Sequence, residues 1–158
     1  MSALAVARSV RDPELPMMTL EDLGVLRSVE ERDSRAVVTI TPTYSGCPAM
    51  ATMRDDLVRG LEDAGYAAEV RVSLSPAWSS DWITPSGRDT LGRHGISPPG
   101  VAPTGPVGLS LLPTRRALTC PLCGSSDVAL VSEFGSTACK AQYRCRTCLE
   151  PFDHVKEI

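Results

Sequence analysis

Apolar and polar residues alternate along the chain in short segments of changing period. Residues 2–9 suit a short helix, which the Asp12-Pro13 step ends because the residue before proline disfavours helical angles. Thr19 can cap a turn over residues 20–23 that Gly24 releases. Residues 25–31 and 36–41 read as two strands joined by Arg32-Asp33-Ser34-Arg35, the second β-branched enough for a sheet. From Pro48 to Ala64 the period becomes helical: Met50, Met53, Leu57 and Leu61 recur at spacings of three and four, and Gly65 is the stop. Residues 67–74 return to alternation, with Val70, Val72 and Leu74 on one face. Thr84-Pro85 then opens a helix that ends near Gly95. The pattern predicts an α+β domain in which a small three-stranded sheet packs with two to three helices.

The pattern then breaks. Ser97-Pro98-Pro99-Gly100 begins a stretch that is rich in proline and glycine and almost free of charge. Structureless loops longer than about 12–15 residues are uncommon inside compact domains, so residues 98–116 read as a linker between a domain at 1–97 and another at 117–158. Five of the six cysteines follow residue 119. Cys120-Pro121-Leu122-Cys123 and Cys145-Arg146-Thr147-Cys148 stand twenty-one residues apart, a spacing that predicts a tetrahedral four-thiolate zinc site in a separate β ribbon. Each short pair chelates one edge of the tetrahedron, and strands at 128–133 and 140–144, turning near Gly135, join the pairs. About 40 residues cannot build a stable core unaided, so a structural metal would supply the folding energy. An iron-bearing or redox site is the alternative for the same ligands.

Composition narrows the function classes. Sixteen basic residues against nineteen acidic ones leave a net charge of −3, which gives no general grip on nucleic acid or anionic lipid. Lys140, Arg144 and Arg146 are too few to make the ribbon a nucleic-acid reader. No apolar run reaches membrane-helix length, and the N-terminus lacks a basic start followed by a long apolar stretch, so a cytoplasmic location is expected. There the thiols serve as ligands or reactive groups rather than disulfides. Neither His94 nor His154 follows a glutamate at the spacing a diiron bundle uses, and no glycine-rich phosphate loop is present. Both histidines read as solvated surface residues, and no catalytic set of side chains is evident.

Three sites outside the paired cysteines carry candidate chemistry. Cys47, in Thr41-Pro42-Thr43-Tyr44-Ser45-Gly46-Cys47-Pro48, lies between a strand and a helix. With Pro48 as first helical residue, Cys47 is the cap, where the helix dipole and free N–H groups favour a thiolate. The bland alternative is a small buried hydrophobe that ends a turn. Asp12 and Glu14 flank Pro13 and, together with Cys47, would offer oxygen and sulfur ligands to iron. Cys139 is left over, an additional thiol that relays metal, an alternative ligand, or an inert strand cysteine. Trp78 and Trp82, in an otherwise polar loop, fit partner contact and core cover equally well.

Asp12-Pro13-Glu14-Leu15-Pro16 and Pro42-Thr43-Tyr44-Ser45-Gly46-Cys47-Pro48 resemble the iron–sulfur cluster assembly domain family, small α/β proteins that supply iron or clusters to client enzymes. Leu74-Ser75-Pro76-Ala77-Trp78, the ribbon and Ser132-Glu133-Phe134-Gly135-Ser136-Thr137-Ala138-Cys139-Lys140 resemble the PaaD family, components of bacterial ring-1,2-phenylacetyl-CoA epoxidases. The resemblance implies a non-enzymatic accessory role in aerobic phenylacetate breakdown. It makes Cys47 the working thiol, places Asp12 and Glu14 in the same motif, and gives weight to Cys139. It implies protein partners, the oxygenase and reductase subunits of the epoxidase system.

Two functions follow. In the first, Cys47 transiently holds iron or an iron–sulfur cluster and passes it to a client while a zinc-filled ribbon docks that client. One thiol cannot complete a four-ligand cluster, so this reading calls for a homodimer, a small thiol or help from the carboxylates. In the second, the chain is a structural or regulatory subunit of the epoxidase that transfers no metal.

Overall fold

The computed structural model describes residues 1–105 and 117–158. Of the stretch expected to link two domains, residues 106–116 lie outside the described residues. The chain divides into two compact units, Met1–Thr90 and Leu91–Ile158.

In the first unit, helix α1 (Ala3–Ser9) is capped by Ser2, whose hydroxyl accepts the Ala5 N–H, and it buries Ala3, Val6 and Ala7. Strands β1 (Leu26–Arg32) and β2 (Arg35–Ile40) form an antiparallel hairpin in which Arg32 faces Arg35. Helix α2 (Met50–Asp63) crosses over to β3 (Ala67–Val72), which runs parallel to β2, giving the sheet order β1-β2-β3. Alternation in β2 buries Ala36, Val38 and Ile40, and α2 buries Met53, Leu57 and Leu61 at the spacing read from the sequence. A 3₁₀ turn at Ser80–Trp82 precedes α3 (Pro85–Arg93).

The strand expected at 67–74 stops at Val72, and its apolar face is only partly covered: Val70 is buried, whereas Val72 and Leu74 are 49% and 61% exposed. Trp78 joins the core, its indole N–H donating to the Leu23 carbonyl at 2.9 Å. Trp82 is half-buried beneath the Arg27 guanidinium, 3.6 Å from its ring centroid.

The second unit holds an antiparallel sheet of β4 (Val128–Ser132), β5 (Lys140–Cys145) and β6 (Pro151–Val155) in that order. The third strand is absent from the pattern-based expectation, although Phe152 and His154 alternate inward along it. Leu118, Cys120, Ala141, Tyr143, Cys145 and Phe152 form its core. His154 is fully buried, which corrects the expectation of a solvated histidine. Its ring bonds the Ser97 hydroxyl at 3.1 Å on one side and the Glu157 carboxylate at 3.2 Å on the other. Ser97 pairs with β6 through the Asp153 carbonyl and the Val155 N–H, so it rests on the ribbon sheet.

Candidate metal centre and thiol loop

Four thiols meet at one end of the ribbon sheet. Cys120 and Cys123 lie in a tight turn before β4, where Gly124 takes a φ of +75° and donates its N–H to the Cys120 carbonyl at 2.8 Å. Cys145 ends β5, and Cys148 follows in the turn to β6, closed by the Cys145 N–H donating to the Glu150 carbonyl at 3.0 Å. The turns are tied by a 2.7 Å hydrogen bond between the Ser125 and Thr147 hydroxyls.

All four Sγ atoms lie within 4.8 Å of one another, with Cys120 3.7 Å from Cys148 and Cys123 3.6 Å from Cys145. Tetrahedral zinc, with Zn–S bonds of about 2.3 Å, sets its sulfurs about 3.8 Å apart. The set therefore fits that ion. Cys120 and Cys145 are buried in the core and Cys123 is exposed, so the site lies at the margin of the apolar cluster.

The thiols are electrostatically unequal. Backbone N–H donors from Cys148 and then Thr147, with hydrogen bonds from Cys123 and Cys148, bring Cys145 down to about 6. A hydrogen bond at the Glu150 backbone lowers Cys148, but burial and hydrogen bonding with the other three thiols outweigh it and push Cys148 up to about 12. Cys123 is also raised: burial and bonding to Cys145 and Cys120 overcome a lowering contact with the Ser125 backbone. Cys145 is thus a thiolate at neutral pH, while Cys123 and Cys148 must each shed a proton when metal binds. Affinity for zinc is expected to rise at least about a hundredfold per pH unit between pH 7 and 8, because Cys123 and Cys148 by themselves release two protons. Chelator competition at both values checks this, and equal affinities would refute it.

Cys139 stands outside this set, just before β5, with its Sγ 3.1 Å from the Thr137 hydroxyl. Beside it Lys140, buried, pairs with Asp153 at 3.5 Å.

Cys47 lies in the first unit, in the loop that leaves the C-terminal end of β2. Ligands in α/β sheets gather at this end of parallel strands. The loop after β3 begins at the same end, the Ser73 N–H donating to the Ile40 carbonyl at 2.9 Å. The segment bearing Asp12 and Glu14 is tied there by bonds from Thr41 to Val25, Val25 to Leu20 and Leu20 to Val10. Cys47 is half-buried between two turns, its N–H donating to the Tyr44 carbonyl at 3.2 Å. It is not the helix cap expected from Pro48. Helix α2 begins at Met50, and its cap is Ala49, which already has helical angles and no side-chain acceptor. Pro48 instead falls in the preceding turn, held by the Met50 N–H on the Cys47 carbonyl. The thiol therefore stands a turn away from the dipole contact a cap position provides.

Asp12 is buried, and one of its carboxylate oxygens accepts the N–H groups of Glu14 and Leu15 at 2.7 and 2.9 Å. That carboxylate shapes the turn. Among the described residues, the paired cysteines are the one group of three or more side chains gathered for a metal, and Asp12, Glu14 and Cys47 are not brought into such a set.

Comparison with known proteins covers both units. Residues 105–156 match the family described as the PaaD zinc beta ribbon domain, and residues 3–75 match the iron-sulfur cluster assembly protein family. A protein of Escherichia coli strain K12, named as a subunit of 1,2-phenylacetyl-CoA epoxidase, is 43% identical over 98% of this chain and 90% of its own length. A Porphyromonas gingivalis protein named as an Fe-S protein maturation auxiliary factor is 31% identical over 54% of this chain and 83% of its own. The crystal structure of a DUF59 domain of unknown function from Bacillus anthracis superposes with a TM-score of 0.52 at 29% identity. It covers 57% of this chain and 88% of that one.

Proposed function

This chain belongs to the PaaD family of 1,2-phenylacetyl-CoA epoxidase components, and on that premise we propose that it is a non-catalytic maturation factor of the epoxidase system. In this reading Cys47 accepts iron or an iron–sulfur cluster as cargo and releases it to an oxygenase or reductase client. The observation that carries it is the placement of half-buried Cys47 in the loop at the C-terminal end of the β2–β3 parallel pair, within the segment matching the iron-sulfur cluster assembly family. With Asp12 turned to its own loop, the remaining ligands come from outside the loop: a client, a second copy of the chain or a small thiol. Such shared ligation is weak enough to be reversible, as transfer requires.

Cys120, Cys123, Cys145 and Cys148 would hold zinc, which supplies folding energy rather than chemistry. Glu14, half-buried in the turn that Asp12 shapes, and Cys139, on the ribbon, are the further candidates to assist cargo binding.

The test compares metal and acid-labile sulfide in protein purified without oxygen with those of Cys47→Ser. Both should hold about one zinc, and only the parent should take up iron or sulfide on reconstitution. Serine replaces sulfur with a hard, protonated hydroxyl, so at least a tenfold loss of cargo is expected. Equal uptake by the two proteins would leave a docking component without metal transfer.

A further inference from the structure

The sheet of the first unit has a second face, opposite buried Ala36, Val38 and Ile40. Residues paired across strands share a face, which places Glu30 and Arg32 of β1, Arg35 and Val37 of β2, and Glu69 and Arg71 of β3 together on it. Glu30, Arg32, Arg35, Val37 and Arg71 line a shallow cavity of about 220 Å³. Glu69 bonds both Arg35 and Arg71, and these two guanidiniums hold its carboxyl below the usual range.

Arg32 has no ion pair and no side-chain hydrogen bond among the described residues, and it stands directly opposite Arg35. Like charges facing each other across a hairpin cost stability. The missing element is an acceptor. Three arginines against two glutamates give the face a small positive excess in a chain whose net charge is −3. A polyphosphate surface would meet Glu30 and Glu69, whereas isolated carboxylates can settle between them on the arginines. Val37, half-buried at the centre, adds an apolar contact.

We propose that this face docks an extended segment of a partner protein that alternates acidic and apolar residues, one carboxylate bridging Arg32 and Arg35. The hairpin lies at the end of β2 opposite the Cys47 loop, so this surface is independent of the cargo reading. Bridging replaces the repulsion of two arginines by charge-assisted hydrogen bonds to each.

Fluorescence anisotropy of the full chain with a labelled octapeptide of alternating glutamate and leucine tests it. Arg32→Thr is expected to weaken binding about tenfold. In the absence of peptide it should raise Tm by about 1–4 °C, because it removes the facing charge. Arg35→Gln should also weaken binding, and Arg54→Gln, on the exposed side of α2, should not. Equal weakening by Arg54→Gln would mean generic charge attraction. A lower Tm in Arg32→Thr would mean a structural role. Displacement by 1 mM inorganic phosphate (about the strength of a small-anion site) as complete as by unlabelled peptide would mean a small-anion site. Each of these three results overturns the proposal.

Discussion

Cys145→Ser is expected to empty the ribbon of metal and unfold its sheet while the first unit stays folded. The ribbon core consists of six buried residues, two of them thiols of the four-cysteine set, with Val128 and Cys148 packed at its edge. Against the entropy of ordering some forty residues, at roughly 1–2 kcal/mol each for the backbone, so small a cluster is insufficient. Zinc binding in structural sites contributes about 10–16 kcal/mol at neutral pH, and three thiols retain only part of it. Cys145 is the thiol of the set whose loss should matter most: it is fully buried, it pairs with Val128 in the sheet, and its sulfur accepts the Cys148 N–H at 3.5 Å. The two units carry separate reporters. Trp78 and Trp82 both lie in the first unit, so the tryptophan emission should hold, whereas amide protection in β5 and bound zinc should both vanish. Protection of β5 persisting without metal would show that apolar packing alone holds the sheet.

Gly24→Ala should produce the largest loss from a single methyl group in the first unit. Gly24 has a φ of +69°, and a Cβ built there would lie 2.5 Å from the Trp82 Cβ and 2.6 Å from the Trp82 carbonyl oxygen. Left-handed backbone costs an L-residue about 1–2 kcal/mol, and forced overpacking adds about 1–3 kcal/mol. The backbone cannot yield locally, because the Leu23 carbonyl anchors the Trp78 indole and the Gly24 N–H donates to Glu21 at 2.9 Å. A loss of about 2–5 kcal/mol should lower Tm by about 10 °C or more in a unit of this size. Thermal unfolding followed by tryptophan emission measures it, and a drop under about 4 °C would mean that the 3₁₀ turn yields freely.

The sequence alone determined most of the elements and the four-thiol set. β2 and α2 each have a period that matches the surface they bury, and the paired cysteines encode their geometry in a two-residue gap that only a tight turn satisfies. Local chemistry of this kind survives in one dimension because the partners are near neighbours, or because each half of a site is. What depended on distant partners was not legible. The strand β6 is short and has Asp153 and His154 beside its apolar residues, and His154 reads as a surface residue until Ser97 and Glu157 close around its ring. The cap assigned to Cys47 moved to Ala49 because a turn bond between Met50 and Cys47 displaces the helix start, a competition that proline preference does not reveal. Asp12 reads as a candidate iron ligand beside Glu14 and Cys47, and only the fold shows one of its carboxylate oxygens accepting two backbone N–H groups. Arg32 and Arg35 look like an ordinary hairpin turn in the sequence, and only the strand register sets them face to face with Glu69 beside one of them. Tertiary structure decides such cases because a polar side chain takes its role from whichever groups the packed backbone leaves within about 3 Å of it.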